Sequence, residues 1–183
     1  MSSKQELVSR MQIEVTPLIE PDIDQFDSIL RQHVWDRYTR QILEDEIASI
    51  KGYMRGEADE YGRKRKYIVA KTPSGQVVGC MAFSSPDPDM VTHFHDIDPE
   101  ESVELLNAFV DSKVFRGGGV GRKLFEGICN TAKAEGKKYL LVHSGPRYKA
   151  SWGFYDHLCD ENRGFIVEKY GRGGDANTWL KRL

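Results

Sequence analysis

The sequence is short of several things, and each shortage excludes something. It has only 3 cysteines in 183 residues, Cys80, Cys129 and Cys159. Odd in number and far apart, they suit neither a disulfide frame nor a zinc site, and read as reduced thiols of a cytoplasmic protein. No apolar run approaches the ~18–20 residues of a membrane span. The polar stretch Met1 to Met11 lacks the apolar core of a signal peptide. Net charge is nearly missing: 26 bases against 28 acids leave −2. That balance speaks against a general nucleic-acid or membrane surface. Internal repeats, low-complexity tracts and long linkers are absent too. What is there is 39% apolar and 30% charged residues. Such a chain forms one domain over residues 1–183, long enough to bury a core without staples.

Charge of one sign is also missing locally. Residues 72–112 hold no Lys or Arg but eight acids: Asp87, Asp89, Asp96, Asp98, Glu100, Glu101, Glu104 and Asp111. Residues 113–183 hold 14 bases and 7 acids. Either the two stretches meet different partners or they are solvated faces. On the first reading, Asp87 to Glu104 attracts a cationic amine, and neutralising Glu100, Glu101 and Glu104 raises its KM.

Hydrophobic periodicity orders the chain as β-α-α-β-β-β-α-β-α-β-β. Gln12 to Leu18 alternates as a strand. Pro21 and the acids after it open a first helix with the stripe Ile23, Phe26, Leu30 and Val34. A second helix runs from about Thr39, with the stripe Ile42, Leu43, Ile47, Ile50 and Met54. Lys66 to Lys71 and Gln76 to Ser84 flank Thr72-Pro73-Ser74-Gly75 and read as a hairpin. Met90 to Phe94 reads as strand, extending the preceding one or adding another. Leu105 to Val110 is a strand, and Val120 to Ala132 a helix closed by Gly136. Tyr139 to Val142 is a buried strand, Arg147 to Leu158 a helix, and Gly164 to Tyr170 and Asn177 to Leu183 are strands. Alternating elements of this kind make a mixed sheet covered by helices.

The most informative stretch joins Leu105–Val110 to the helix through Arg116-Gly117-Gly118-Gly119-Val120-Gly121. Glycines let the main chain approach a ligand. Free N–H groups and the dipole at a helix start favour an anion, and Arg116 and Arg122 add positive charge. A phosphate or pyrophosphate fits this construction. A P-loop would need a hydroxyl residue where Leu124 stands, and a dinucleotide fingerprint would need other glycine spacing. A tight turn without ligand, or a turn for another nucleotide, stays open at this point.

Arg116-x-x-Gly119-x-Gly121 resembles the R/Q-x-x-G-x-G/A motif of the GCN5-related N-acetyltransferases, the GNAT superfamily. Downstream, Ser144-Gly145-Pro146-Arg147 through Ala150-Ser151-Trp152-Gly153-Phe154-Tyr155 is similar to a pattern of a GNAT subset. Gly164-Phe165 comes after Tyr155 later than is usual there, so Cys159 to Arg163 is expected to be a longer loop. The resemblance spans about residues 65–183. It implies an α/β (α+β) GNAT-like acyl-CoA N-acyltransferase fold: a twisted, mixed seven-stranded sheet with helices on both faces. It implies that Arg116, Gly117, Gly118, Gly119, Val120, Gly121 and Arg122 hold the pyrophosphate of coenzyme A. Phe109, Val110 and Asp111 would hold its pantetheine arm, and the strands on either side of the crossover would splay.

Acetyl-CoA is then the co-substrate and a small-molecule primary amine the acceptor, with no metal, no nucleic acid and no membrane. Tyr155 matches the family's proton donor to the leaving sulfur; a phenol keeps its proton at neutral pH. A lysine-like amine is neutral in only about one molecule in 10³ at pH 7, so a base helps. Glu104 and His143 are the two candidates, the second because an imidazole exchanges protons near neutral pH. His93-x-His95-Asp96-x-Asp98 has metal-ligand residue types but reads as a polar loop. Trp35, Trp152 and the last strand are candidates for a homodimer surface. The competing class is a non-catalytic acyl-CoA-binding or interaction module of the same fold.

Overall fold

The computed structural model describes residues 12–113 and 118–183. Their strands are β1 (Glu14–Pro17), β2 (Lys66–Lys71), β3 (Val77–Ser84), β4 (Ser102–Val110), β5 (Tyr139–Ser144), β6 (Glu161–Ile166) and β7 (Ala176–Arg182). They form a seven-stranded sheet in the order β1-β2-β3-β4-β5-β7-β6. The β1–β2 and β5–β7 pairs are antiparallel and β4–β5 is parallel, so the sheet is mixed, as expected. The helices are α1 (Glu20–Ile23), α2 (Asp27–His33), α3 (Glu44–Met54), α4 (Pro88–His93), α5 (Val120–Ala134) and α6 (Trp152–Leu158). No described helix is long and apolar enough to cross a membrane.

The chain divides into two compact units. The first comprises the chain up to Ala82 and Asn107–Ile128. Here the expected first helix is a broken run: α1, a 3-10 turn at Asp24–Phe26, then α2. The second helix starts at Glu44 rather than Thr39, because the residues before it are tied into a loop. Trp35 bridges Ile42, and the Asp36 carboxylate accepts the N–H groups of Tyr38 and Thr39. Phe26, Leu30, Val34, Ile47 and Ile50 are buried, which matches the apolar stripes. Asn107 sits inside β4 with φ +46°. Its side-chain oxygen accepts from Arg65 and, at 2.7 Å, from the Tyr67 hydroxyl. A left-handed residue in a strand is a local kink of the kind that re-aims the side chains beyond it.

The second unit comprises Phe83–Leu106 and Cys129–Leu183. Its core gathers Met90, Phe94, Leu141 and Leu180. Met90 to Phe94 is not a strand. The Asp87 carboxylate accepts the Met90 N–H at 2.8 Å and Pro88 fills the first helical position, so α4 forms instead. The expected longer loop after Tyr155 is short, because Glu161 already pairs with Leu180. The surplus residue is absorbed by a register shift between Asn162 and Gly164, where Gly164 takes φ +79°. Strand β6 ends at Ile166, so Tyr170 belongs to the β6–β7 connection and not to a strand. Strand β7 lies between β5 and β6, which removes it as a free edge for a dimer. Trp152 is also engaged, against Phe165 and Trp179.

Candidate active site

The first unit carries the glycine turn. Arg116 and Gly117 lie outside the described residues. Gly119 has φ +77°, and a Cβ built there would meet no described residue within 4 Å. The turn thus needs glycine for its backbone angle. At the start of α5 the Lys123 N–H donates to the Gly119 carbonyl at 3.0 Å. The N–H groups of Val120, Gly121 and Arg122 precede that bond, where helix geometry supplies no partner. Together with the dipole of a 15-residue helix they suit a pyrophosphate. These residues fit coenzyme A.

The end of β4 is clamped from α2. His33 Nε2 lies 2.8 Å from the Val110 carbonyl, and its ring stacks on Phe109 at 5.5 Å. Gln32 Oε1 accepts both the N–H and the hydroxyl of Ser112. The Asp111 N–H donates to the Val78 carbonyl, and the Asp111 carboxylate accepts the Lys113 N–H. Gly79 makes this closeness feasible, since a Cβ there would lie 2.7 Å from the Phe109 carbonyl oxygen. The Asp111 N–H is thus already engaged within the chain.

The second unit carries the titratable groups. Glu104 pairs in register with Leu141. Alternation then places His143, two residues on, on the same face as Glu104. The two candidate bases meet: His143 Nε2 is 2.8 Å from Glu104 Oε1. Glu104 is fully buried, and its other oxygen accepts the Asp87 N–H at 2.7 Å. His143 Nδ1 faces the Tyr170 hydroxyl at 2.5 Å. A carboxylate only accepts, so the network assigns the imidazole proton to Nε2 and leaves Nδ1 to accept from Tyr170.

Lys169, next in sequence to Tyr170, donates to Asp87 at 2.6 Å and to Asp89 at 3.2 Å. Burial alone would raise the Asp87 pKa. The Lys169 and Met90 hydrogen bonds and the charge of Lys169 outweigh it and hold the carboxyl below its ordinary value. Asp87, Glu104 and His143 each offer a ligand atom within 4.8 Å of the others, the arrangement a metal ion uses. Those atoms already serve Lys169, Met90, the Asp87 N–H and Tyr170, so the cluster is a closed hydrogen-bonded network. The His93–Asp98 stretch is structural as well. His93 Nε2 bonds the Arg163 carbonyl and Thr178, Asp96 pairs with Arg163, and Asp98 caps the Glu100 N–H.

Tyr155 lies on α6 in the same unit, buried against Trp179 and Phe154. Burial, with Cys159 as a smaller cause, raises its pKa, so the phenol holds its proton. Burial likewise pushes the Cys80 thiol up and Cys159 to about 12, which leaves neither as a ready nucleophile. Sequence reasoning missed Lys169 and Tyr170 as parts of this network, and outside it the kink at Asn107 in the first unit. Only Asn107 left a signal, as a turn-forming residue inside an apolar strand.

The acidic stretch is largely compensated within the chain. Asp87 and Asp89 meet Lys169, Asp96 meets Arg163, Glu101 meets Lys138 and Glu104 meets His143. The acids of residues 87–104 and the bases after residue 137 answer one another.

A model of the acetyltransferase (GNAT) family matches residues 28–160. No curated protein matches the sequence. Solved structures do. An N-acetyltransferase from Staphylococcus aureus Mu50 is similar at TM-score 0.65 and 17% identity, covering 93% of this chain and 98% of that one. A GCN5-related N-acetyltransferase from Kribbella flavida has TM-score 0.62 at 16% identity, with 93% and 98% covered. A ribosomal-protein-alanine N-acetyltransferase from Brucella melitensis has TM-score 0.62 at 23% identity, with 93% and 99% covered. At these identities the likeness is one of fold.

Proposed function

Since the chain belongs to the acetyltransferase (GNAT) family, we propose that it moves the acetyl group of acetyl-CoA directly to a primary amine. The observation that carries this reading is the contact of His143 with Glu104, in the same unit as the buried Tyr155. A base and an acid are the two proton-handling parts the reaction asks of side chains. Acetyl-CoA supplies the activated thioester when bound.

The chain's own residues do the rest. The glycine turn from Arg116 to Gly121 receives the pyrophosphate, and Phe109 and Val110 align the pantetheine arm. The family resemblance assigns the developing oxyanion to a main-chain N–H near Val110, an electrostatic contribution of the oxyanion-hole kind. The His143–Glu104 pair receives the proton that the amine must lose. Tyr155 gives its proton to the departing sulfur and recovers one from the nitrogen as the amide forms. The raised pKa of the Cys80 and Cys159 thiols supports direct transfer over a covalent cysteine route. The small, odd number of cysteines supports a reducing compartment such as the cytoplasm.

The acceptor is a small amine or a peptide N-terminus. The test is incubation with acetyl-CoA and a panel of spermidine, kanamycin, amino acids and an alanine-initiated peptide, with product masses read. A mass gain of one acetyl group on a panel member supports the reading. Coenzyme A binding without acetylation of any member would instead identify a non-catalytic acyl-CoA-binding module.

A further inference from the structure

Both nitrogens of the His143 ring are occupied, Nε2 by Glu104 and Nδ1 by the Tyr170 hydroxyl. A proton reaching this imidazole must arrive through one of those two partners. Glu104 is 0% exposed, and its second oxygen is committed to the Asp87 N–H. Tyr170 is 51% exposed. Its hydroxyl meets the imidazole, so of the two partners the phenol is the one on an exposed residue. We infer that Tyr170 is the outer member of a proton relay, the catalytic residue that takes the proton from the acceptor amine and passes one on to His143, with Glu104 holding the imidazolium that results. The inference rests on the acetyltransferase reading and adds to it the residue that meets the amine.

The protons balance. The ammonium gives one proton to Tyr170 Oη as the Tyr170 proton moves to His143 Nδ1. The neutral nitrogen then forms the C–N bond and the C–S bond breaks. Tyr155 protonates the sulfur and is restored by the second proton shed from that nitrogen. The proton stored on His143 returns through Tyr170 to water after the product leaves. Burial, followed by the nearby Glu104, raises the Tyr170 pKa, so phenolate is not a resting state and the two transfers are coupled.

The fold holds Tyr170 in this role. The Tyr170 N–H closes a turn on the Gly174 carbonyl at 2.9 Å, and the Glu168 N–H is taken by Asp175. Lys169 is anchored on Asp87 and Asp89. The Tyr170 ring lies over Gly145 so closely that a Cβ there would sit 2.7 Å from two ring carbons. The sequence motif containing Gly145 therefore has a spatial reason in this chain. The charged and titratable groups around the Tyr170–His143 contact are Glu104 on β4, Asp87 at the start of α4 and Lys169 in the same loop. Tyr148 in the 3-10 helix Pro146–Ser151 and Tyr155 on α6 are the others.

The test compares the full-length wild type with Tyr170→Phe and Gly145→Ala over pH 6 to 10, on whichever panel amine is acetylated. Tyr170→Phe should lower acceptor kcat/KM at least about tenfold at pH 7, with the loss shrinking as the amine becomes neutral near its pKa of about 10.4. Gly145→Ala, which alters no titratable group, should reproduce that pH-dependent loss by displacing the ring. Nitrogen NMR of the imidazole should show the Nδ1 signal shifting in Tyr170→Phe while Nε2 keeps its proton. Wild-type protein that acetylates no amine overturns the acetyltransferase reading itself, and this inference with it. Wild-type turnover overturns the relay alone if Tyr170→Phe stays within twofold at every pH, or falls by one constant factor at every pH. An Nδ1 signal unmoved by the substitution overturns it equally.

Discussion

The glycine turn works with main chain from consecutive residues, whereas the Tyr170–His143–Glu104 chain works with side chains brought from three separate segments. In the turn, Gly119 contributes a backbone angle, and Val120, Gly121 and Arg122 contribute N–H groups. In the relay, His143 has one partner on either side, and Lys169 and Asp87 fasten the loop from outside the line of transfer. The difference teaches where each region is vulnerable. A turn of this kind fails through conformation; a relay fails through a single missing atom.

The largest effect should break the chemistry and leave cofactor binding intact. Tyr155→Phe should lower kcat about 10³-fold, within the range of a general acid, with the Kd for coenzyme A changed less than twofold. Single-turnover kinetics with calorimetry would show it, and turnover within twofold of wild type would remove Tyr155 from the acid role.

Next comes the fastening of the loop. The side chains of Lys169 and Asp87 are 6% and 9% exposed, so the pair counts as buried. Asp87→Asn leaves that ammonium only the exposed Asp89 at 3.2 Å and should cost at most about 3 kcal/mol of stability. The Asp87 carboxyl is held below the ordinary value of 3.8. Its stabilisation is therefore present above that value and lost as pH falls through the lower folded one. Denaturant midpoints of wild type and Asp87→Asn should differ near pH 7 and converge below about pH 4. A constant gap down to pH 2 would show that the ionised carboxylate is not the cause.

The turn should respond more mildly and in one quantity. Gly119→Val places a β-branched residue at φ +77° and should weaken coenzyme A binding about tenfold, leaving the His143 nitrogen signals of the second unit unchanged. A shift in those signals would mean that the two regions are not separable in the way their construction implies.

The smallest effect concerns the acidic stretch. Glu101 pairs with an exposed Lys138. Such pairs are worth about 0–1 kcal/mol. Glu101→Gln should move the melting temperature by less than about 2 °C and acceptor KM by less than twofold. A rise in KM that salt abolishes would restore a steering role to these acids.

Much of the fold was legible locally. The apolar stripes marked α2, α3 and α5, and the alternating runs marked β2 and β3, because these periods depend on neighbours within a few residues. The errors have physical causes of the opposite kind. Met90 to Phe94 has strand-like residues, but the Asp87 cap and Pro88 outweighed propensity. Tyr170 comes after an apolar run, but β6 had already ended at Ile166, and its partner is His143.

By itself the sequence determined the mixed sheet, the family and the glycine turn, since that turn is written in adjacent residues and their backbone preferences. It also named Glu104 and His143, but as rivals. The tertiary structure alone decided that they are partners. Their contact depends on the parallel register of β4 with β5, and Tyr170 and Lys169 join it only when the β6–β7 connection closes on that face. Register and loop closure arise from packing over the whole unit, and no local pattern encodes them.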